Sequence, residues 1–365
     1  MTAAPTSPTD PNAGKPILAG DEADTGATEN ALLLGIDLGT SRSSISSLTG
    51  ARKTIESYVG YAKDPISRKH LKADLVYGKH ALDNKLSVDL YRPLAKGVIQ
   101  TTGDAGKKNM EAVRDLLAHL VNLVEPGRDD TLYGVVGVPS EASTENKQAI
   151  IEATQGILDS VMIVSEPFCV AYALERISDV LVVDIGAGTT DLCRMHGTVP
   201  SAEDQISLDI AGDAVDQKLY ELIKAEYPNA QVTVNMCKGF KEKFSFVSDT
   251  RDKVEVTMPV NGKPTQHDIT KLLHDSAMIL VEPILDSIHK LVASFDPEFQ
   301  EKIRNNVILS GGGGLLRGLN KAIEDGLERV GGGAVTVVEE PMFAGANGAL
   351  QLAMDMPREY WQQLK

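Results

Sequence analysis

The chain has 365 residues, 42% hydrophobic and 24% charged, an ordinary globular composition with length enough for two domains and two real cores. A formal charge of -15 excludes a surface built to track nucleic-acid phosphates, which needs Lys and Arg in excess. Cys169, Cys193 and Cys237 are odd in number and widely spaced, so no zinc site is expected and a reducing cytoplasm suits them.

Residues 1–30, rich in Ala, Pro, Thr, Asp and Gly, are expected to form a disordered acidic tail. They lack the basic start and apolar core of a signal peptide. ALLLGID, from Ala31, reads as a buried strand with SSISSLTG as its returning partner, so LGTSR is a hairpin turn. Residues 54–103 break into short apolar pieces between Gly, Pro and Asp, which predicts a small irregular insert. A helix is expected over about 110–125, stopped by Pro126 and Gly127. TLYGVVGVP is a second buried strand, and TENKQAIIEATQG a helix with Thr144 as its N-cap. MIVSEP follows as a short strand and FCVAYALERI as a helix.

DVLVVDIGAGTTDLCRMHG then restarts the pattern of strand, glycine turn and strand, about 147 residues after the first. A helix AVDQKLYELIKAEY, a long helix near 268–295, and the strand NNVILS running into Gly311–Gly314 come next. The helix LLRGLNKAIEDGLERV, the strand AVTVVEE and a last helix from about Ala344 complete the chain. Two halves that open alike and continue as alternating strands and helices predict an α/β architecture, duplicated around a cleft. No apolar run approaches the roughly 20 residues of a membrane span.

The two turns carry the chemistry. The first supplies Gly35, Asp37, Gly39, Thr40 and Ser41; the second Asp184, Gly186, Gly188, Thr189, Thr190 and Asp191. Glycines let backbone N–H groups approach a polyphosphate, and the hydroxyls add neutral donors. A carboxylate would repel phosphate, so Asp37 and Asp184 are assigned to Mg²⁺, held through water, or to orienting an attacking water. One such string is a weak signal, whereas two of the same grammar, each after an apolar strand, are a strong one. A third cluster, Gly311, Gly312 and Gly313, ends a strand and leaves bare backbone for a flat ligand, with a helix start favouring its anionic part. There is no GxxxxGK[ST] P-loop and no GxGxxG dinucleotide turn.

In this order the three elements resemble the phosphate-1, phosphate-2 and adenosine motifs of the actin superfamily. The resemblance implies an actin-like fold of two duplicated ribonuclease-H-like halves around a cleft for ATP or ADP with Mg²⁺. Domain I is then 31–170, with the insert about 54–103, and domain II is 171–365, with a C-terminal helix returning to domain I. GFKEKFSFVSD is similar to the KEKLCYVALD segment of eukaryotic actin, which implies base and ribose contacts for Lys241 and Glu242.

From Ala31 onward the chain resembles above all the MamK family of actin-like filament proteins of magnetosome-forming bacteria. LGIDLGTS, YVGYAKDPI, YRPLAKGV, VGVPSEAS, VSEPF, VDIGAGTTDLC, KEKFSFV and PREYWQQL carry that resemblance. MreB and ParM proteins match more thinly, mainly at the loops. The family implies cytoplasmic homopolymeric filaments alongside magnetosomes, turned over by ATP hydrolysis, with magnetosome-associated partners and no membrane insertion. It also implies two candidates for the hydrolytic step. Glu166 in VSEPF matches a Glu near the γ-phosphate water, while actin and MreB place Gln or Glu where this chain has Asn146 beside Glu145. Asn is no base, so Glu166 is favoured, assisted by Asp184 and Asp37. A monomeric adaptor of the FtsA or PilM type, or a small-molecule kinase of the same fold, is the alternative. ATP and GTP both fit one glycine cluster.

Overall fold

The computed structural model describes residues 31–101, 103–250 and 252–364; the expected acidic tail lies outside them. Two five-stranded sheets dominate. The first runs Ser160–Ser165, Thr131–Val138, Ala31–Leu38, Arg42–Ser47, Arg52–Glu56 in spatial order. The second runs Gln205–Leu208, Thr190–His196, Ser178–Ile185, Val307–Ser310, Val335–Val337. In each, the opening strand is central, pairs antiparallel with its hairpin partner and parallel with a strand reached by a crossover. The two spatial orders are the same once strands are counted from the start of each half, which is the duplication foreseen from the repeated turns.

The central strands are covered on both faces, which is why they read as unbroken apolar runs rather than alternating ones. Ala31–Leu38 has five consecutive buried residues, Leu32 to Ile36. One face of the first sheet packs on helices Gly103–Asn122 and Thr144–Thr154 through Leu34, Ile36, Val113, Leu117 and Ile150. The corresponding face of the second packs on Val281–Ala293, Pro297–Arg304 and Leu319–Leu327. Between the sheets a shared core contains helices Glu166–Ala173 and Pro341–Asp355, with Leu33, Val135, Val182, Ala349 and Trp361.

Several elements differ from expectation for local reasons. Helix Thr144–Thr154 is capped by Ser143, whose Oγ accepts from Asn146 N at 3.2 Å, and Thr144 is its first helical residue. The helix expected near 110 begins at Gly103 and ends at Asn122. The expected long helix over 268–295 is interrupted by a 3₁₀ turn, Met278–Leu280, between Thr270–Ala277 and Val281–Ala293. The helix expected from about Ala344 starts at Pro341, whose missing N–H costs nothing at a first turn, and a further short helix, Arg358–Gln363, follows it. The insert is not irregular. Leu75–Tyr77, Val59–Ala62 and Val88–Tyr91 form a small sheet seated on the helix Gly103–Asn122 by Val59, Ala112 and Leu116. The Tyr61 hydroxyl donates to Asp115 Oδ2 across that seam at 2.6 Å.

Candidate nucleotide site

The two hairpin turns face each other at the ends of the central strands and enclose a cavity of about 720 Å³. In the first turn, Leu38 pairs with Ser43, leaving Gly39–Arg42 to reverse the chain. A Cβ on Gly39 would lie 2.3 Å from Arg42 O, so only glycine closes this turn. In the second, Gly186 N–H donates to Thr189 O at 2.9 Å and Ile185 pairs with Thr190. Gly212 N–H and Asp213 N–H, opening the helix Gly212–Glu226, donate to Gly186 O and Ala187 O at 3.1 and 2.7 Å.

Asp37, Gly39, Thr40 and Ser41 line the cavity from one side, and Asp184, Gly186, Gly188 and Thr189 from the other. Gly311, Gly312 and Gly313, with Lys241 and Glu242, also line it, as do Val254, Leu280 and Leu316. The glycine tract does not open an α-helix directly. It enters a 3₁₀ turn, Gly312–Leu315, and the helix starts only at Leu319, so the expected helix-start contribution to anion binding is absent from this tract. Gly311 has a φ of +72°, and a Cβ there would meet Asp184 Oδ1 at 2.4 Å. The tract therefore also shelters the Asp184 carboxylate.

Glu166 stands at the first position of the helix Glu166–Ala173, and its Oε1 is buried without a hydrogen-bond partner. Gly137, alongside it, leaves the room: a Cβ there would lie 3.1 Å from Glu166 Cγ. Burial, then the charges of Asp37, Asp191 and Asp184, hold the Glu166 carboxyl well above the usual carboxylate range. Burial pushes Asp37 up to about 6. Asp184 is raised by burial and by Asp37 and Asp191. The like charges of Asp37 and Asp184 beside Glu166 are costly unless a cation offsets them. Among the described residues no three His, Cys, Asp or Glu side chains are grouped to hold a metal directly, so these carboxylates suit a cation held through water. The unpartnered Glu166 oxygen carries that fit.

Several residues expected at the site are engaged elsewhere or lie outside the cavity. Thr190 is fully buried in its strand, and its hydroxyl donates to Ile210 O at 2.7 Å, so it is not free to meet a ligand. Gly35 lies within the strand Ala31–Leu38 and admits the helix Pro341–Asp355 rather than a phosphate. Asn146 and Glu145 do not line the cavity; they lie in the first turn of the helix that Ser143 caps, where nearby backbone N–H and Ser143 lower the Glu145 carboxyl. Lys241 lines the cavity, yet its ammonium donates to Gly212 O at 2.8 Å and pairs with buried Asp216 at 2.7 Å.

Other groups join the site, of which Lys238 and Asp213 were not singled out by sequence reading. Lys238 lines the cavity and its ammonium donates to Ser41 Oγ, with burial lowering its pKa. Asp191, at the end of the second motif, accepts from Ser140 N at 2.9 Å and so ties the two halves behind the site. Asp213 lines the cavity beside the second turn. The signal for Lys238 was present in the helical spacing, since it precedes Lys241 by three residues and shares its helix face.

A sequence profile of the MreB/Mbl protein family matches residues 32–359. The actin-like protein MamK of Paramagnetospirillum magneticum is 39% identical over 339 residues, 93% of this chain and 97% of that protein. Among solved structures, a MamK double helical filament superimposes with a TM-score of 0.87 at 38% identity, over 90% of this chain and 100% of that one. A non-polymerising MamK variant bound to AMPPNP gives 0.69 over the same shares, also at 38% identity. With this duplicated fold and cleft, and with those similarities running nearly end to end, the chain belongs to the MreB/Mbl family of actin-like proteins, alongside the MamK proteins.

Proposed function

We propose that this protein is an actin-like cytoskeletal ATPase that assembles into homopolymeric filaments and positions magnetosomes, with hydrolysis driving filament turnover. The observation that carries the reading is the meeting of Asp37, Asp184 and Glu166 in one cavity between duplicated halves. The filament and AMPPNP-bound structures of MamK relatives support assembly and nucleotide binding.

In this reading 31–170 and 171–365 are the two moving domains, and the backbone N–H groups of the two turns, with Thr40, Ser41 and Thr189, hold the phosphates. Asp37 and Asp184 hold Mg²⁺, through water, which neutralises phosphate charge. Glu166 orients and deprotonates the attacking water; its raised pKa suits a base that must take up a proton. Gly311–Gly313, Lys241 and Glu242 border the nucleoside. Assembly couples to nucleotide through relative rotation of the two halves. Magnetosome-associated proteins are the expected partners, in the cytoplasm. No helix among the described residues is long and apolar enough to cross a membrane.

Ultracentrifugal pelleting with and without ATP and Mg²⁺, read by negative-stain microscopy, tests the proposal. ATP-dependent filaments are expected. Monomers that bind ATP but never pellet would favour the adaptor reading, and phosphate transfer to a small molecule would favour a kinase.

A further inference from the structure

The turn Arg92–Gly97 belongs to the insert, yet it touches both glycine loops. Arg92 Nε donates to Thr40 O, in the first loop, at 3.0 Å. Its Nη2 donates to Asp213 Oδ1 at 3.0 Å and lies 2.8 Å from Oδ2. The Asp213 N–H is itself bonded to Ala187 O, in the second loop. One guanidinium and one residue therefore link Thr40 to Ala187. The rest of the turn reinforces that span. Gly97 N–H donates to Thr40 Oγ1 at 2.6 Å, and Lys96 Nζ reaches Asp209 Oδ2 at 2.5 Å. A Cβ on Gly188 would stand 2.6 Å from Lys96 Cα, so the second loop lies directly on this backbone.

We propose that Arg92 is a positioning residue for the nucleotide reaction: bridging Thr40 and Asp213, it holds the two phosphate loops at closed-cleft spacing and so sets the rate of nucleotide release. The inference rests on the nucleotide-cleft reading above. Arg92 and Asp213 lie on opposite halves, so opening the cleft must part them. Arg92 is not in the cavity wall, so it acts through the loops rather than on the ligand. The planar fork matters, because it meets the Thr40 carbonyl and the Asp213 carboxylate with two separate nitrogens held at fixed spacing, which a single ammonium on a flexible stem does not reproduce. Asp213 also lines the cavity, where an unscreened carboxylate would oppose phosphate; the same guanidinium neutralises it. The two side chains are 31% and 37% exposed, so solvent screening limits the tie to a moderate effect.

The test is release of a fluorescent ATP analogue from the full chain, chased with unlabelled ATP below the pelleting concentration. Arg92→Gln and Asp213→Asn should each speed release about three- to tenfold. The double variant should release no faster than the quicker single one, because both remove the same bond. Arg92→Lys should recover less than half of the lost retention. Thermal midpoints without nucleotide should match the wild type, and Asp213→Asn serves alone should Arg92→Gln fail to fold. Wild-type release in the single variants, or effects that multiply in the double variant, would overturn the proposal. A wild-type chain that binds no nucleotide would instead bring down the cleft reading beneath it.

Discussion

Replacing Glu166 by Gln separates the stability of the site from its chemistry. The side chain keeps its shape but loses the acid, which burial and Asp37, Asp191 and Asp184 all oppose ionising. Its folded-state pKa is raised, so ionisation costs folding free energy above the ordinary Glu range, and the cost disappears as pH falls. At pH 8, without nucleotide or metal, the variant should therefore be more stable than the wild type. Relief of one buried, unpartnered charged acceptor is on the order of 1–3 kcal/mol, less what the new amide loses by finding no acceptor. Urea unfolding at pH 8 and pH 5 would read the gain and its disappearance. The chemistry should move the other way. A positioned base contributes at least about a hundredfold, so phosphate release should fall by that factor while ATP affinity stays within about threefold. Turnover within tenfold of the wild type, or a parallel loss of binding, would refute the assignment. Gain of stability with loss of turnover is the signature of a residue held in place for function.

Gly35→Ala should destabilise by about 3 kcal/mol or more, because its Cβ would fall 2.1 Å from Ala346 O and 2.2 Å from Leu350 N, both backbone atoms. Gly239→Ala, inside the helix Val234–Phe244 with open space around it, should instead stabilise by roughly 0.5–1 kcal/mol. Urea midpoints distinguish the two. For pH, burial raises Asp37 to about 6 in the folded state, so the ligand-free protein holds a proton that the unfolded chain releases near pH 4. Its contribution to stability should decline between about pH 4 and 6; Asp37→Asn should flatten that slope, and an unchanged profile would count against the burial argument.

The central strands and both hairpin turns were legible because burial on two faces writes a continuous apolar run, and a close turn demands glycine. Glu166 was legible through its neighbours in VSEPF, and the structure brings it to the same cavity as Asp37 and Asp184. What could not be read was anything depending on partners distant in sequence. Arg92 looks like a surface cation until the fold brings Thr40 and Asp213 within reach of its two arms. Thr190 looks like its neighbour Thr189, but strand alternation turns it toward Ile210 and away from the ligand side. The break at Met278–Leu280 lies inside an apolar pattern that local periodicity carries straight through. The insert was misread because strands of three and four residues give too few alternations to register a period.

The helix Pro341–Asp355 has a consequence for how the protein is made. A Cβ on Gly345 would meet Asp37 Oδ2 at 2.9 Å, and Asn347 Oδ1 accepts from Ser46 across 301 residues of chain. A Cβ on Gly348 would collide with Cys169 O at 1.7 Å, in the helix that begins with Glu166. The carboxylates of the first half thus acquire their final walls from a segment that a ribosome delivers about 300 residues later. At about 5–20 residues per second, more than ten seconds separate synthesis of Asp37 from synthesis of the helix that fixes it. Until then the first sheet exposes the groove that this helix fills, and the wall around Asp37 stays incomplete.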